Sequence, residues 1–197
     1  MIMDRRSFLS RLAVLAAGPT LLAGCSKSHS ASSDGVASDS TYTHPVTADS
    51  LWIHDAPREI SQLETPPSEW KGVVPDDAYH ILFEEGTERR YSSPLLEEKR
   101  RGTFICAACY LPLFPSSTKY ESGTGWPSFW APLPGRVGTN TDNKLAMTRT
   151  EYHCARCGGH QGHIFTDGPD PTGFRYCNNG LALNFVSEGE DLPELRM

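Results

Sequence analysis

Phe174-Arg175-Tyr176-Cys177-Asn178-Asn179-Gly180-Leu181-Ala182-Leu183-Asn184-Phe185-Val186 sets two short apolar runs on either side of an Asn-Asn-Gly break. Runs of this length suit strands, and the break between them is turn chemistry. Working outward, the same alternation recurs at Thr103 to Ile105, Ala146 to Tyr152 and His163 to Phe165, with Gly, Pro, Asn and Asp clusters between them. That spacing predicts an antiparallel β domain with functional loops, not βαβ units. Helical signals lie upstream. Pro66-Pro67-Ser68-Glu69 reads as a helix entry that Ser68 can cap. Asp76 and Asp77 open a second helix after Pro75, with Tyr79, Ile81, Leu82 and Phe83 apolar and Gly86 as its stop.

Four of the six cysteines form two C-x-x-C pairs, Cys106/Cys109 and Cys154/Cys157, separated by 44 residues. Two such turns can complete a tetrahedral thiolate shell for zinc, a bond set worth ~10–16 kcal/mol of apparent folding free energy. Two disulfides or a thioredoxin-like redox pair are the competing readings. The second would want a helix N-terminus in a βαβ setting, and Pro112 and Pro115 follow instead.

A fifth cysteine, Cys177, stands outside these pairs. In a strand Arg175, Cys177 and Asn179 project from one face, because the period is two. A guanidinium beside a thiol favours the thiolate, and Asn179 adds an amide donor. Buried, inert cysteines are nonetheless common. His163 shares a face with Phe165 and can titrate near Cys177, its charge adjusted by Asp167. His160 lies three residues before it. Glu121-Ser122-Gly123-Thr124-Gly125-Trp126-Pro127-Ser128-Phe129-Trp130 reads as a sharp loop in which Pro127 stiffens the presentation of Trp126, an apolar wall with one N–H donor.

The chain has 197 residues, 38% of them apolar, and a net charge of −6. It is long enough for one domain with a core. Without residues 1–24 the balance becomes 15 basic against 23 acidic side chains, a net −8, which argues against a nucleic-acid partner. Residues 1–24 have the parts of a cleavable export signal: Arg5-Arg6, an apolar run from Leu12 to Leu22, and small residues before Cys25. The run is too short for a permanent span of ~30 Å hydrocarbon. Arg5-Arg6-Ser7-Phe8-Leu9 resembles a twin-arginine signal, and Leu22-Ala23-Gly24-Cys25 resembles a bacterial lipoprotein cleavage box, which would make Cys25 the lipidated mature N-terminus. Residues 25–56 are poor in large apolar side chains and read as a flexible tether. The expectation is a membrane-anchored lipoprotein on the periplasmic or cell-envelope side, with its folded domain at 57–197.

From about Glu69 to Phe185 the chain resembles the type B methionine sulfoxide reductases. The likeness rests on Gly86-Thr87-Glu88-Arg89, the paired C-x-x-C, Gly123-Thr124-Gly125-Trp126-Pro127-Ser128-Phe129, His160-Gln161-Gly162-His163 and Arg175-Tyr176-Cys177. The resemblance implies a mainly β fold of two packed antiparallel sheets, a short N-terminal helical segment, and one structural zinc on the four paired cysteines. It implies that Cys177 attacks the R-sulfoxide of an oxidised protein methionine and becomes a sulfenic acid. His163, Asp167, Arg175 and Asn179 would surround the sulfoxide. Trp126, His160 and Phe165 would bind the substrate.

Two departures from the family pattern matter. Thr124 stands where many relatives carry a resolving cysteine, so an external, thioredoxin-like thiol is expected to reduce the sulfenic acid. Gly180 stands where serine is commoner. Two other readings use the same residues: a zinc-knuckle interaction module, which leaves Cys177, His163 and Trp126 without a role, and a Cys–His hydrolase, which needs an oxyanion site.

Overall fold

The computed structural model describes residues 60–145 and 147–197. The expected export signal, the tether and Cys25 lie outside these residues. Among the described residues, no helix is long and apolar enough to cross a membrane. The chain enters through a 3-10 turn, Pro67–Trp70, in which Pro66 and not Ser68 holds the capping position. Pro67, the first residue of the turn, has its φ fixed near the helical value and carries no N–H that would need a partner. Helix α1, Asp76–Glu84, starts after Pro75 and stops at Glu85 in the left-handed region, one residue before the expected glycine.

The rest is antiparallel β structure. Strands β1 (Gly102–Cys106), β2 (Pro112–Pro115) and β9 (Leu183–Ser187) form a sheet in the order β2-β1-β9. A second sheet of six strands runs β3 (Lys119–Tyr120), β4 (Ser128–Phe129), β8 (Arg175–Asn178), β7 (His160–Phe165), β6 (Arg149–Cys154) and β5 (Val137–Asp142). The mainly β, two-sheet expectation holds. Strands β2 and β5 were not expected, and both lie at sheet edges. An edge tolerates the prolines of β2 and the polar Gly-Thr-Asn-Thr of β5, because one row of backbone groups needs no partner strand.

Aromatic side chains join the sheets. Phe114 of β2 stacks on Phe129 of β4 at 4.2 Å between ring centroids, and Phe104 of β1 meets Phe129 edge-on at 4.9 Å. Tyr152 of β6 and Tyr176 of β8 pack edge-to-face at 5.3 Å beneath them. Such side chains contribute roughly 1.5–3 kcal/mol each when fully buried. Tyr176 faces this core, so its neighbours Arg175 and Cys177 take the opposite face of the sheet.

One irregularity shapes the site. Tyr152 pairs with Gly162, but the next residue of β6, His153, pairs with His160, so Gln161 is an extra residue in β7. A bulge of this kind re-aims side chains. His160 and His163 come within 5.4 Å of each other, ring to ring, while Gln161 turns wholly inside.

Candidate active site

Cys177 sits in the middle of a cross-strand row, opposite Ser128 of β4 on one side and His163 of β7 on the other. It is half-buried. Strand β7 can approach this closely only because residue 162 is glycine: a Cβ there would lie 1.9 Å from the Cys177 carbonyl oxygen. Burial pushes the Cys177 thiol up, and the Arg175 charge and a hydrogen bond from Thr124 offset this only in part. Arg175 favours the thiolate, as expected, and desolvation opposes it. Desolvation is the larger influence, so the net shift is upward.

Arg175 is clamped by Asp167 through hydrogen bonds of 2.8 and 3.0 Å and lies 4.2 Å above the Phe165 ring. Asp167 thus serves Arg175 and not His163. The carboxylate beside His163 is Asp142, which accepts from His163 Nε2 at 2.8 Å. Hydrogen bonds from the Lys144 backbone, His163 and Arg149 hold Asp142 well below the usual carboxylate range. An ionised carboxylate only accepts, so His163 carries its proton on Nε2. Burial lowers the His163 pKa despite the Asp142 hydrogen bond, which favours the neutral ring, in which Nδ1 is an acceptor.

His160 is buried and donates from Nδ1 to Glu151 at 2.8 Å, while the other oxygen of Glu151 faces His153 at 3.2 Å. His160, Glu151, His153 and Asp142 line a groove of about 740 Å³. Asp142 and Glu151 were missed in the sequence, because their partners are set by strand pairing and not by spacing.

Asn179 departs from its expected place. Strand β8 ends at Asn178, and the chain turns into a 3-10 segment at Gly180–Ala182, which ends the period-two alternation. Asn179 is buried, with Nδ2 donating to the Gln161 carbonyl at 3.0 Å and Oδ1 accepting from the Glu88 amide at 3.1 Å. It braces the turn after Cys177.

Glu88 ties that turn to the tryptophan loop. Its carboxylate accepts from the amides of Gly180 at 2.5 Å and Leu181 at 2.9 Å, and its carbonyl accepts from Trp126 Nε1 at 3.2 Å. The indole N–H is therefore engaged inside the protein and is not offered to a substrate. The half-buried ring belongs to a loop that is fixed to β8 by a hydrogen bond from the Asn178 backbone N–H to the Pro127 carbonyl at 2.9 Å and by Thr124 at the sulfur. Gly180, in place of the commoner serine, has its reason here. A Cβ at 180 would lie 1.9 Å from Ser93 Oγ, which already occupies that space.

Cys106, Cys109, Cys154 and Cys157 bring four sulfurs within 4.8 Å of one another, all buried. The Cys106–Cys157 and Cys109–Cys154 separations are 3.7 and 3.5 Å. A tetrahedral thiolate shell with ~2.3 Å bonds has edges of about 3.8 Å, whereas a disulfide would bring two sulfurs to ~2.05 Å. The four residues fit a metal ion and not two disulfides.

A family model described as the SelR domain matches residues 74–187. A Methanosarcina mazei protein named peptide methionine sulfoxide reductase MsrB is 47% identical over 129 residues, which span 65% of this chain and 92% of that one. Proteins of the same name from Leptospira interrogans and Agrobacterium fabrum are each 48% identical, over 64% of this chain and 98% of theirs. With the two-sheet fold, the sulfur cluster and a separate half-exposed thiol in place, the chain belongs to the type B peptide methionine sulfoxide reductases, a family of oxidoreductases.

Proposed function

We propose that this enzyme reduces the R epimer of methionine sulfoxide in proteins, with Cys177 as nucleophile. The observation that carries the reading is the Ser128–Cys177–His163 row, in which a half-exposed thiol outside the sulfur cluster stands at the strand position opposite a histidine whose Nε2 is held by Asp142. As Cys177 Sγ attacks the substrate oxygen–sulfur group, His163 Nδ1 accepts the thiol proton and returns it to the departing oxygen. The Cys177 S–O bond forms as the substrate S–O bond breaks. Cys177 is oxidised by two electrons to a sulfenic acid, methionine sulfur is reduced by two, and no net proton is taken up.

Arg175, held by Asp167, draws negative charge toward the reacting sulfur. Trp126 supplies the wall for the S-methyl group, and the identity of that wall selects the epimer. An external thiol then displaces water from the sulfenic acid to form a mixed disulfide, and a second thiol releases Cys177; a thioredoxin-like dithiol supplies both. Zinc on the four paired cysteines would hold the β1–β2 and β6–β7 turns together, which is a structural contribution. Arg5-Arg6 and Leu22-Ala23-Gly24-Cys25 extend the proposal to export by the twin-arginine route and anchoring through lipid on Cys25, so that exported proteins are the ones repaired.

The test uses dithiothreitol and the two epimers of a blocked methionine sulfoxide. Consumption of the R epimer alone, lost in Cys177→Ser with metal content unchanged, is the expected result. Turnover of the S epimer, or activity persisting in Cys177→Ser, would overturn the assignment. Membrane fractionation and intact mass of wild type and Cys25→Ser test the anchor separately.

A further inference from the structure

Gln161 is fully buried, an expensive place for a primary amide unless both ends are used. Its Nε2 donates to Cys106 Sγ at 3.6 Å and to the Gly159 carbonyl at 3.5 Å, and its Oε1 accepts from Asn178 Nδ2 at 3.5 Å. The three neighbours set the amide's orientation: the Cys106 sulfur and the Gly159 carbonyl call for the donor, and the Asn178 amide calls for the acceptor. The backbone carbonyl of Gln161 also accepts twice from Asn179, from N at 2.8 Å and from Nδ2 at 3.0 Å. Asn178 and Asn179 are the two residues that follow Cys177.

Asn178 shows how much depends on this contact. Its Nδ2 also donates to Tyr152 at 2.8 Å, and its Oδ1 has no partner among the described residues. A second tie runs alongside, from the Ala107 amide, next to Cys106, to the Ala182 carbonyl at 2.9 Å. The segment behind the nucleophile is thus fastened at both ends to the Cys106–Cys109 turn. The bulge in β7 makes this possible, because the extra residue is the one that turns inward.

We infer that Gln161 is a positioning residue that couples the metal cradle to the nucleophile strand. Its N–H stabilises the Cys106 thiolate in the bound shell, and the same side chain fixes Asn178 and so the placement of Cys177. The second half of this coupling rests on the reading of Cys177 as nucleophile. Gln161→Met keeps the volume and removes both polar ends.

The full-length variant is expected to retain one metal per chain. With cobalt in the site, its thiolate-to-metal charge-transfer absorption should move relative to wild type. Zinc transfer to a chromophoric chelator should quicken by about tenfold, and kcat should fall by about tenfold with KM within about twofold, as loss of a charge-assisted hydrogen bond and of positioning requires. Unchanged absorption and zinc transfer would overturn the metal half. Unchanged kcat would overturn the coupling. Wild type gives a reading that does not depend on the variant's folding: with cadmium-113 bound, the Gln161 side-chain amide proton should show scalar coupling to the metal through Cys106, and its absence would overturn the proposal. Activity in Cys177→Ser would instead fault the nucleophile and leave the cadmium result standing.

Discussion

Thr124 stands at the Cys177 sulfur, and its hydrogen bond draws the thiol pKa down against burial. A threonine there cannot close a disulfide, and the other four described cysteines are gathered in the buried cluster. Enzyme treated with sulfoxide alone should therefore carry one added oxygen on Cys177 and no internal Cys177 disulfide, as peptide mass spectrometry would show. Thr124→Cys should form that disulfide in the same experiment. An internal disulfide in the unmodified protein would defeat the idea.

Burial raises the Cys177 pKa, and Arg175 partly offsets it. The iodoacetamide alkylation rate of the free enzyme should accordingly rise with pH toward a midpoint above the ordinary thiol value of ~8.5. Removing the guanidinium removes a lowering influence, so Arg175→Met should move the midpoint higher still and slow alkylation at neutral pH. A midpoint that falls in Arg175→Met would contradict the assigned sign.

The close approach of residue 180 to Ser93 predicts a compensating pair. Gly180→Ala should cost roughly 1–3 kcal/mol in urea unfolding, the usual range for overpacking. Ser93→Gly should recover part of that cost in the double variant, because the collision is with Ser93 itself. Strict additivity of the two changes would mean that they do not meet.

Glu151 is pushed up by burial, but hydrogen bonds with His153 and His160 outweigh this and bring its pKa to about 2. Its folded-state pKa thus lies below the unfolded value of ~4.3. The contribution is fully present above that value and fades as the pH falls toward 2, with an upper size of roughly 3 kcal/mol. Glu151→Gln should be less stable than wild type at pH 7, and the gap should narrow between pH 4.5 and 2.5. A gap independent of pH would show that the carboxylate charge is not what matters.

Metal removal should unfold the domain and not merely slow it, since ~10–16 kcal/mol of binding free energy rivals the whole stability of a domain of this size. Circular dichroism during chelation at neutral pH is the measurement. Retention of the β signal after complete removal would limit the cluster to a local role.

What could be read in the sequence is what spacing alone encodes. Cys106/Cys109 and Cys154/Cys157 carried their metal geometry in the C-x-x-C turn, and the runs around Phe104, Tyr152, Ile164 and Tyr176 carried the strands. Edge strands β2 and β5 stayed hidden, because Pro112, Pro115 and the polar residues of β5 look like loop when only one side is paired. Asp142 and Glu88 were silent for another reason. Each meets a partner 21 or more positions away along the chain, the first at His163 and the second at Gly180 and Leu181. The net direction of the Cys177 shift was not legible either, since a neighbouring arginine is visible in a sequence and desolvation is not.

Cys177 lies on the face of its sheet opposite the one on which Tyr152 and Tyr176 pack together. On the proposed reading, damaged side chain and rescuing thiol both reach Cys177 from that one face and take turns there. Turnover should alternate between two half-reactions, giving parallel lines in double-reciprocal plots and mutual competition when either visitor is in excess.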